Sequence, residues 1–334
     1  MKRKNGVAIA IAWPKFVGKQ TGTWYDKPMM FLGFNKDFHY QVGHASMVLI
    51  NKEDEICRYF DCGRYHAPYQ HGRIRDSSTD PVSSIITPAK WTGNSLGNFA
   101  EILNEIQGNP WTFGVGPLEA SYCEVNFEKA LEKIKSLQSL GALPFGPFTM
   151  HGTNCCRFVR TGILAGEPQL SYGRKILLNH LWHLKPMPIS IVQILKNKVK
   201  IPTAAQEVDS KKSHSKGAYT WETVHGTLPQ PPKPSTIPIT SQWLAGEVAG
   251  SWFNLEQHDH GYTIVRYSQE GVEECSGTFK PITKLDFNAD LPYEFTHLSH
   301  CNQVCIRQGG LVHEFGRIGE AVKNPLLSDQ LAVG

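Results

Sequence analysis

Long apolar runs are missing from this chain of 334 residues. None approaches the roughly 18 residues a membrane-spanning helix needs, so no stable membrane insertion is expected. Charge of one sign is also scarce. Lys and Arg number 34 against 30 Asp and Glu, a formal net charge of +4. That excess is small and dispersed, which argues against a nucleic-acid or membrane-surface partner. No Gly-rich loop has Walker or Rossmann spacing, so nucleotide binding has no support. Cysteines number only 8, far below a disulfide scaffold. The adjacent Cys155 and Cys156 suit a reducing compartment, where thiols stay free, and a cytoplasmic location is expected. A basic start followed by Gly6–Trp13 has the outline of an export signal. Its apolar run is short and ends at Pro14-Lys15, so a first buried strand is the preferred reading, with export as the alternative.

What is present is turn-forming. Gly (30) and Pro (21) are slightly abundant, which predicts more strand than helix. Val7–Trp13, Met29–Phe34 and Gln41–Ile50 read as extended runs. Asn51–Asp54 is a polar turn and Glu55–Cys62 a returning strand, which makes a hairpin. Arg64–Pro81 reads as irregular. Asn98–Ile106 reads as a helix. Phe127, Ala130, Leu131, Ile134 and Leu137 recur at helical spacing, with Asn126 as N-cap and Gly141 as the stop. A further helix is expected from Asn154 to about Leu164. Three segments follow: a domain over 1–200, a Pro-rich linker over 201–238, and a small all-β domain over 239–334.

The stretch His151-Gly-Thr-Asn-Cys-Cys-Arg-Phe-Val-Arg160 carries the most chemistry. Asn154 can cap a helix beginning at Cys155. A thiol in a first helical turn feels unpaired backbone N–H groups and the positive end of the helix dipole. Both favour the thiolate, which is the nucleophile. The same N–H groups can hold an oxyanion. Cys155 shares a helix face with Phe158, Val159 and Gly162, whereas Cys156 lies nearer Arg160, so Cys155 is the preferred nucleophile. The bland alternative is two small buried apolar residues. His44 opens the strand Gly43–Ile50 and is the preferred base. If Ile50 pairs with Ile56, His44 lies beside Cys62 and Ala45 beside Asp61. Asp61 is then the group that orients the imidazole. His66, His71 and Asp76 compete for these roles.

Gly43-His44 opening a strand, followed downstream by Asn154-Cys155-x-x-Phe158-Val159 opening a helix, resembles the circularly permuted papain-like cysteine hydrolases. That group includes permuted cell-wall peptidase-like domains and relatives of lecithin–retinol acyltransferase. In it the His strand precedes the Cys helix, as here. The resemblance covers about residues 5–200. It implies an α+β fold with helices packed on an antiparallel sheet, a thiolate–imidazolium pair and a covalent acyl-enzyme. This sequence departs from the pattern in a long insertion between the two motifs. No Gln clearly fills the oxyanion role, which leaves Gln41 or Asn154.

Other constellations are weaker. His297, His300, Cys301 and Cys305, with His258 and His260, have zinc-ligand types but poor spacing. Gly250-Ser-Trp252 resembles the opening of lipocalin-like barrels, which hold apolar ligands. The stretch from Tyr59 to Arg75 is either a subsite for an anionic or carbohydrate-like substrate or a solvated loop. The sequence therefore predicts a thiol hydrolase or acyl transferase acting on an amide, isopeptide or ester bond of a peptide, amide or acyl substrate, with Cys155, His44 and Asp61 at its centre. No metal or cofactor is expected. The alternatives are an inactive papain-like scaffold with a ligand-binding β-domain and a zinc-stabilised interaction module.

Overall fold

The computed structural model describes residues 4–19, 22–35, 39–149, 151–182, 188–203 and 226–319. The chain divides into two compact units. The first comprises residues 1–63 and 85–226, the second 64–84 and 227–334. Most of the expected linker, residues 204–225, lies outside the described residues.

The first unit is built on an antiparallel sheet. Among its strands are β1 (Gly6–Trp13), β2 (His44–Asn51), β3 (Cys57–Gly63), β4 (Leu118–Val125) and β5 (Lys196–Ile201). They lie side by side in the order β3–β2–β1–β4–β5. Every residue of β1 is buried, as expected of a central strand covered on both faces. Its residues alternate in size. Val7, Ile9, Ile11 and Trp13 pack with Phe99, Ile102, Leu103 and Ile106 of helix α1 (Phe99–Gly108). Trp13 also donates its indole N–H to Gln107 at 2.8 Å. Ala8, Ala10 and Ala12 point to the opposite face. There Ala10 pairs with Met47 of β2, and Met47 pairs with Phe60 of β3.

Helices α2 (Phe127–Gln138) and α3 (Cys155–Ala165) cover that second face. Asn126 caps α2 by accepting from the Lys129 N–H at 2.9 Å. The Lys135 ammonium lies over the Phe60 ring. A Cβ added to Gly162 of α3 would meet Met47 Sδ at 2.8 Å, so glycine lets α3 close onto β2.

The β2–β3 hairpin differs from its expected register. Ile50 pairs with Cys57 rather than Ile56, and Ser46 pairs with Asp61. The turn holds one extra residue because Glu55 takes a left-handed conformation with φ 58°. Its N–H reaches Asn51 O at 3.0 Å, and Asp54 accepts from the Ile56 N–H at 3.0 Å. Met29–Phe34, expected as extended, instead begins inside a short helix, Asp26–Phe31. The Asp26 carboxylate accepts from Thr23 N–H at 2.7 Å, which fixes the turn entering that helix.

Residues 227–319 of the second unit hold seven strands: β6 (Gln242–Leu244), β7 (Ser251–His258), β8 (Gly261–Tyr267), β9 (Glu273–Pro281), β10 (Glu294–Phe295), β11 (Gln303–Gln308) and β12 (Leu311–Ile318). They form one sheet ordered β6–β7–β8–β9–β12–β11–β10. The sheet nearly closes on itself. The Gln242 side chain links its two edges, donating to Tyr293 O at 2.9 Å and accepting from Phe295 N–H at 3.1 Å. Phe253, Phe279, Phe295, Phe315, Val304 and Ile306 fill the interior. Cys275 and Cys301 form a disulfide, which corrects the expectation that all thiols stay free.

Residues 64–84 also correct the sequence reading. They contain a strand, His71–Arg75. Arg64, Tyr65, His66, Arg73 and Arg75 are buried, as are Tyr59 and Phe60 upstream, while Tyr69 and His71 are partly exposed, so most of this stretch is packed and is not a solvated loop.

The close approach at Gly6 gives a test of the packing. A Cβ there would lie 2.7 Å from Phe127 Cβ and 2.9 Å from Ile50 O. Gly6→Ala is expected to lower the unfolding free energy by about 1–3 kcal/mol in urea titrations. Gly108 has nothing within 4 Å of an added Cβ. Gly108→Ala should be neutral or stabilising by up to about 1 kcal/mol.

Candidate active site

Helix α3 opens where the sequence places it. Asn154 is extended, and its side chain accepts from Arg157 N–H at 2.8 Å. The approach is fixed by two backbone bonds, Gly146 N–H to Thr153 O and Thr153 N–H to Pro144 O, both 2.9 Å. Arg157 reaches back to Thr149 O at 3.0 Å and holds the intervening loop.

Cys155 is the first residue of α3 and is partly exposed, while Cys156 is buried. Burial raises the Cys155 thiol to about 11. Backbone hydrogen bonds from Ala45, Cys156 and Cys155 itself pull the other way, and the charge of Asp61 adds to the rise. The sulfur therefore meets β2 at its first residues, beside His44. Cys156 is raised further by burial, and Arg160 opposes this.

His44 is buried and stacks on Trp13, its partner across β1, with ring centroids 5.5 Å apart and planes at 21°. Phe16 covers it at 5.5 Å. Directly opposed residues share a sheet face. Ser46 opposes Asp61, so His44, Ser46 and Asp61 lie on one face, with Trp13. The expected register puts Asp61 opposite Ala45 and on the other face, so the extra turn residue brings Asp61 to the side of His44. Asp61 is fully buried, and Tyr59 Oη donates to it at 3.3 Å. Helix α3 packs on the opposite face, against Met47. The thiol thus adjoins His44 through the Ala45 backbone and not by sharing a face with it.

The remaining candidates have other duties. Asn154 Oδ1 is engaged as the helix cap. Gln41 is exposed on a two-stranded ribbon, Val17–Lys19 with His39–Gln41. His66, His71 and Asp76 belong to the second unit. His71 Nδ1 bonds Tyr69 O at 2.9 Å, and Asp76 accepts from the Ser78 and Thr79 N–H groups. The zinc arrangement is not formed. Cys301 is in the disulfide, His297 bonds Ala245 O at 2.8 Å, and no metal-binding group is found among the described residues. Sequence reasoning missed Tyr59, whose hydroxyl contacts Asp61. Its position two residues from Asp61 on one strand was the available signal.

Residues 8–171 match a family model described as type VI secretion system effector TseH-like. Residues 241–318 match the DUF6695 C-terminal domain. A crystal structure of the type VI secretion system effector TseH is similar at 16% identity, covering 60% of this chain and 93% of that chain with a TM-score of 0.37. A search of curated proteins finds no match. Among the described residues, no helix is long and apolar enough to cross a membrane.

The buried thiols give a pH test. Burial raises Cys57 and Cys123 to about 12, and Cys155 and Cys305 to about 11. Unfolded thiols ionise near about 8.5. The stabilisation is present below that value and is lost as pH rises towards the folded values. The urea midpoint should hold up to about pH 8.5 and fall above it. Cys123→Ala should fall less steeply than the parent protein.

Proposed function

We propose that the first unit is a permuted papain-like thiol hydrolase or acyl transferase acting on an amide, isopeptide or ester bond. One observation carries the reading. Cys155 begins a capped helix, and its sulfur receives hydrogen bonds from backbone groups, one of them Ala45 beside His44. In this reading the Cys155 thiolate attacks the acyl carbon. His44 takes the thiol proton and returns it to the leaving group. The acyl-enzyme then passes to water or to an acceptor, with His44 as base. Asp61, on the face of His44, fixes the tautomer and supports the imidazolium. N–H groups at the start of α3 hold the oxyanion.

The match of residues 8–171 to a secretion-system effector family supports an effector role. Such a chain would be made in the cytoplasm and would act on its substrate after delivery.

A second reading has its own observation. Burial holds the Cys155 thiol near 11 and the Asp61 charge reinforces it, which favours a papain-like scaffold without turnover.

Alkylation separates the two. For an active dyad, iodoacetamide should modify Cys155 well below pH 8.5, the free-thiol value of about 8.5 being the reference. His44→Ala should move that profile upward. Cys155→Ser should abolish turnover, and Cys156→Ser should keep much of it. A Cys155 profile centred near 11 and unchanged by His44→Ala would establish the scaffold reading.

A further inference from the structure

A closed ring of buried polar side chains lies within the second unit. Arg73 grips Asp80 through two N–H groups, both at 2.7 Å. Arg266 donates to Asp80 at 2.9 Å and to Glu274 at 2.6 Å. Ser251 Oγ donates to Glu274 at 2.9 Å. His66 completes the ring, with Nε2 at 2.8 Å from Ser251 Oγ and Nδ1 at 3.1 Å from Arg73 Nη2.

The protons in this ring have one consistent placement. A guanidinium only donates, so His66 Nδ1 must accept from Arg73 and carries no hydrogen. The hydrogen of the neutral ring is therefore on Nε2 and is given to Ser251 Oγ. Ser251 passes its own hydrogen to Glu274. Ser251 and His66 have the look of a nucleophile and its base, yet the nitrogen facing the hydroxyl already holds a proton. The pair cannot work as a base and nucleophile in this state.

The arrangement also forbids a second proton on His66. An imidazolium has no acceptor nitrogen, so the Arg73 bond would be lost. The ring would then face Arg73, Arg75 and Arg266, with Asp80 and Glu274 as the opposing charges. Residue 66 itself has φ 45°, a left-handed conformation that costs energy for a side-chain-bearing residue and is held by its surroundings.

We propose that the Arg73–His66–Ser251 chain is an acid-released latch, which holds residues 64–84 in the second unit at neutral pH and frees them when His66 takes a proton. Burial, with Arg266 and Arg73, keeps the folded His66 well below its ordinary value. The sign follows. Below about pH 6.5 the unfolded segment gains a proton that the folded one refuses, so stability falls as the solution is acidified. One such group changes the opening equilibrium by about tenfold per pH unit. His300, pushed down to about 4 by burial beside Arg73 and Arg266, adds a slope of the same sign. Asp80, held well below its usual range by Arg73 and Arg266 despite burial, acts only at lower pH.

The test uses the full chain and amide hydrogen exchange over residues 64–84, corrected for intrinsic rates, from about pH 7.5 to about pH 5.5. His66→Gln supplies a carbonyl for Arg73 and an amide N–H for Ser251 but does not titrate. Over this range the parent protein should lose about tenfold more protection in total than His66→Gln, nearly all of it below about pH 6.5. Equal slopes would overturn the latch. The unmutated protein gives an independent readout through its imidazole NMR signals. The folded His66 ring should stay neutral, as the Nε2–H tautomer, down to about pH 5.5. A folded ring that titrates near about 6.5 would overturn the proposal even where His66→Gln does not fold.

Discussion

The first unit depends on a strand that has no exposed face. Every side chain of Gly6–Trp13 must be covered, and the way it is covered decides what can sit where. Its larger residues fill one face against helix α1. Its alanines leave the other face shallow, so helices α2 and α3 can come close. Gly162 opposite Met47 is the same economy of volume on the helix side. The result is a helix whose first residue abuts the end of the neighbouring strand. The candidate nucleophile is therefore placed by steric fit remote from the chemistry.

At that point two physical effects oppose each other. Removing Cys155 from water disfavours its thiolate. The N–H groups at the start of α3 and from Ala45 favour it. Asp61 is poorly suited to help the sulfur directly, since its charge pushes the thiol towards protonation. Its chemical value lies in what it can do for an imidazolium on its own face. In the proposed dyad the thiol would be weakly reactive until an imidazolium forms on His44, which would couple the state of the thiol to the position of that ring.

Much of this was legible in the sequence, and the gaps have identifiable causes. The caps Asn126 and Asn154 were readable because capping is local. The strand Gly6–Trp13 was readable because its apolar run is short and bounded. The hairpin register was not, because one left-handed residue, Glu55, lengthens the turn, and glutamate gives no warning of that conformation. Met29–Phe34 failed because apolar runs do not distinguish strand from helix, and the deciding bond comes from Asp26. Residues 64–84 were hardest. Arg64, Arg73, Arg75 and Asp80 look solvated one by one, and their burial is made tolerable by the Arg73–Asp80 pair within the segment together with partners far along the chain, such as Arg266 and Glu247. The disulfide was equally silent, since nothing local ties Cys275 to Cys301.

That disulfide has a consequence for the history of the molecule. It joins residues 26 apart, and closing a loop of that size removes chain entropy worth about 3–4 kcal/mol from the unfolded state. A domain with a typical net stability of about 5–15 kcal/mol would owe a sizeable part of it to this one bond. Reduction of that bond would therefore leave the second unit easier to unravel, and reoxidation would harden it again, without any change in its sequence or partners.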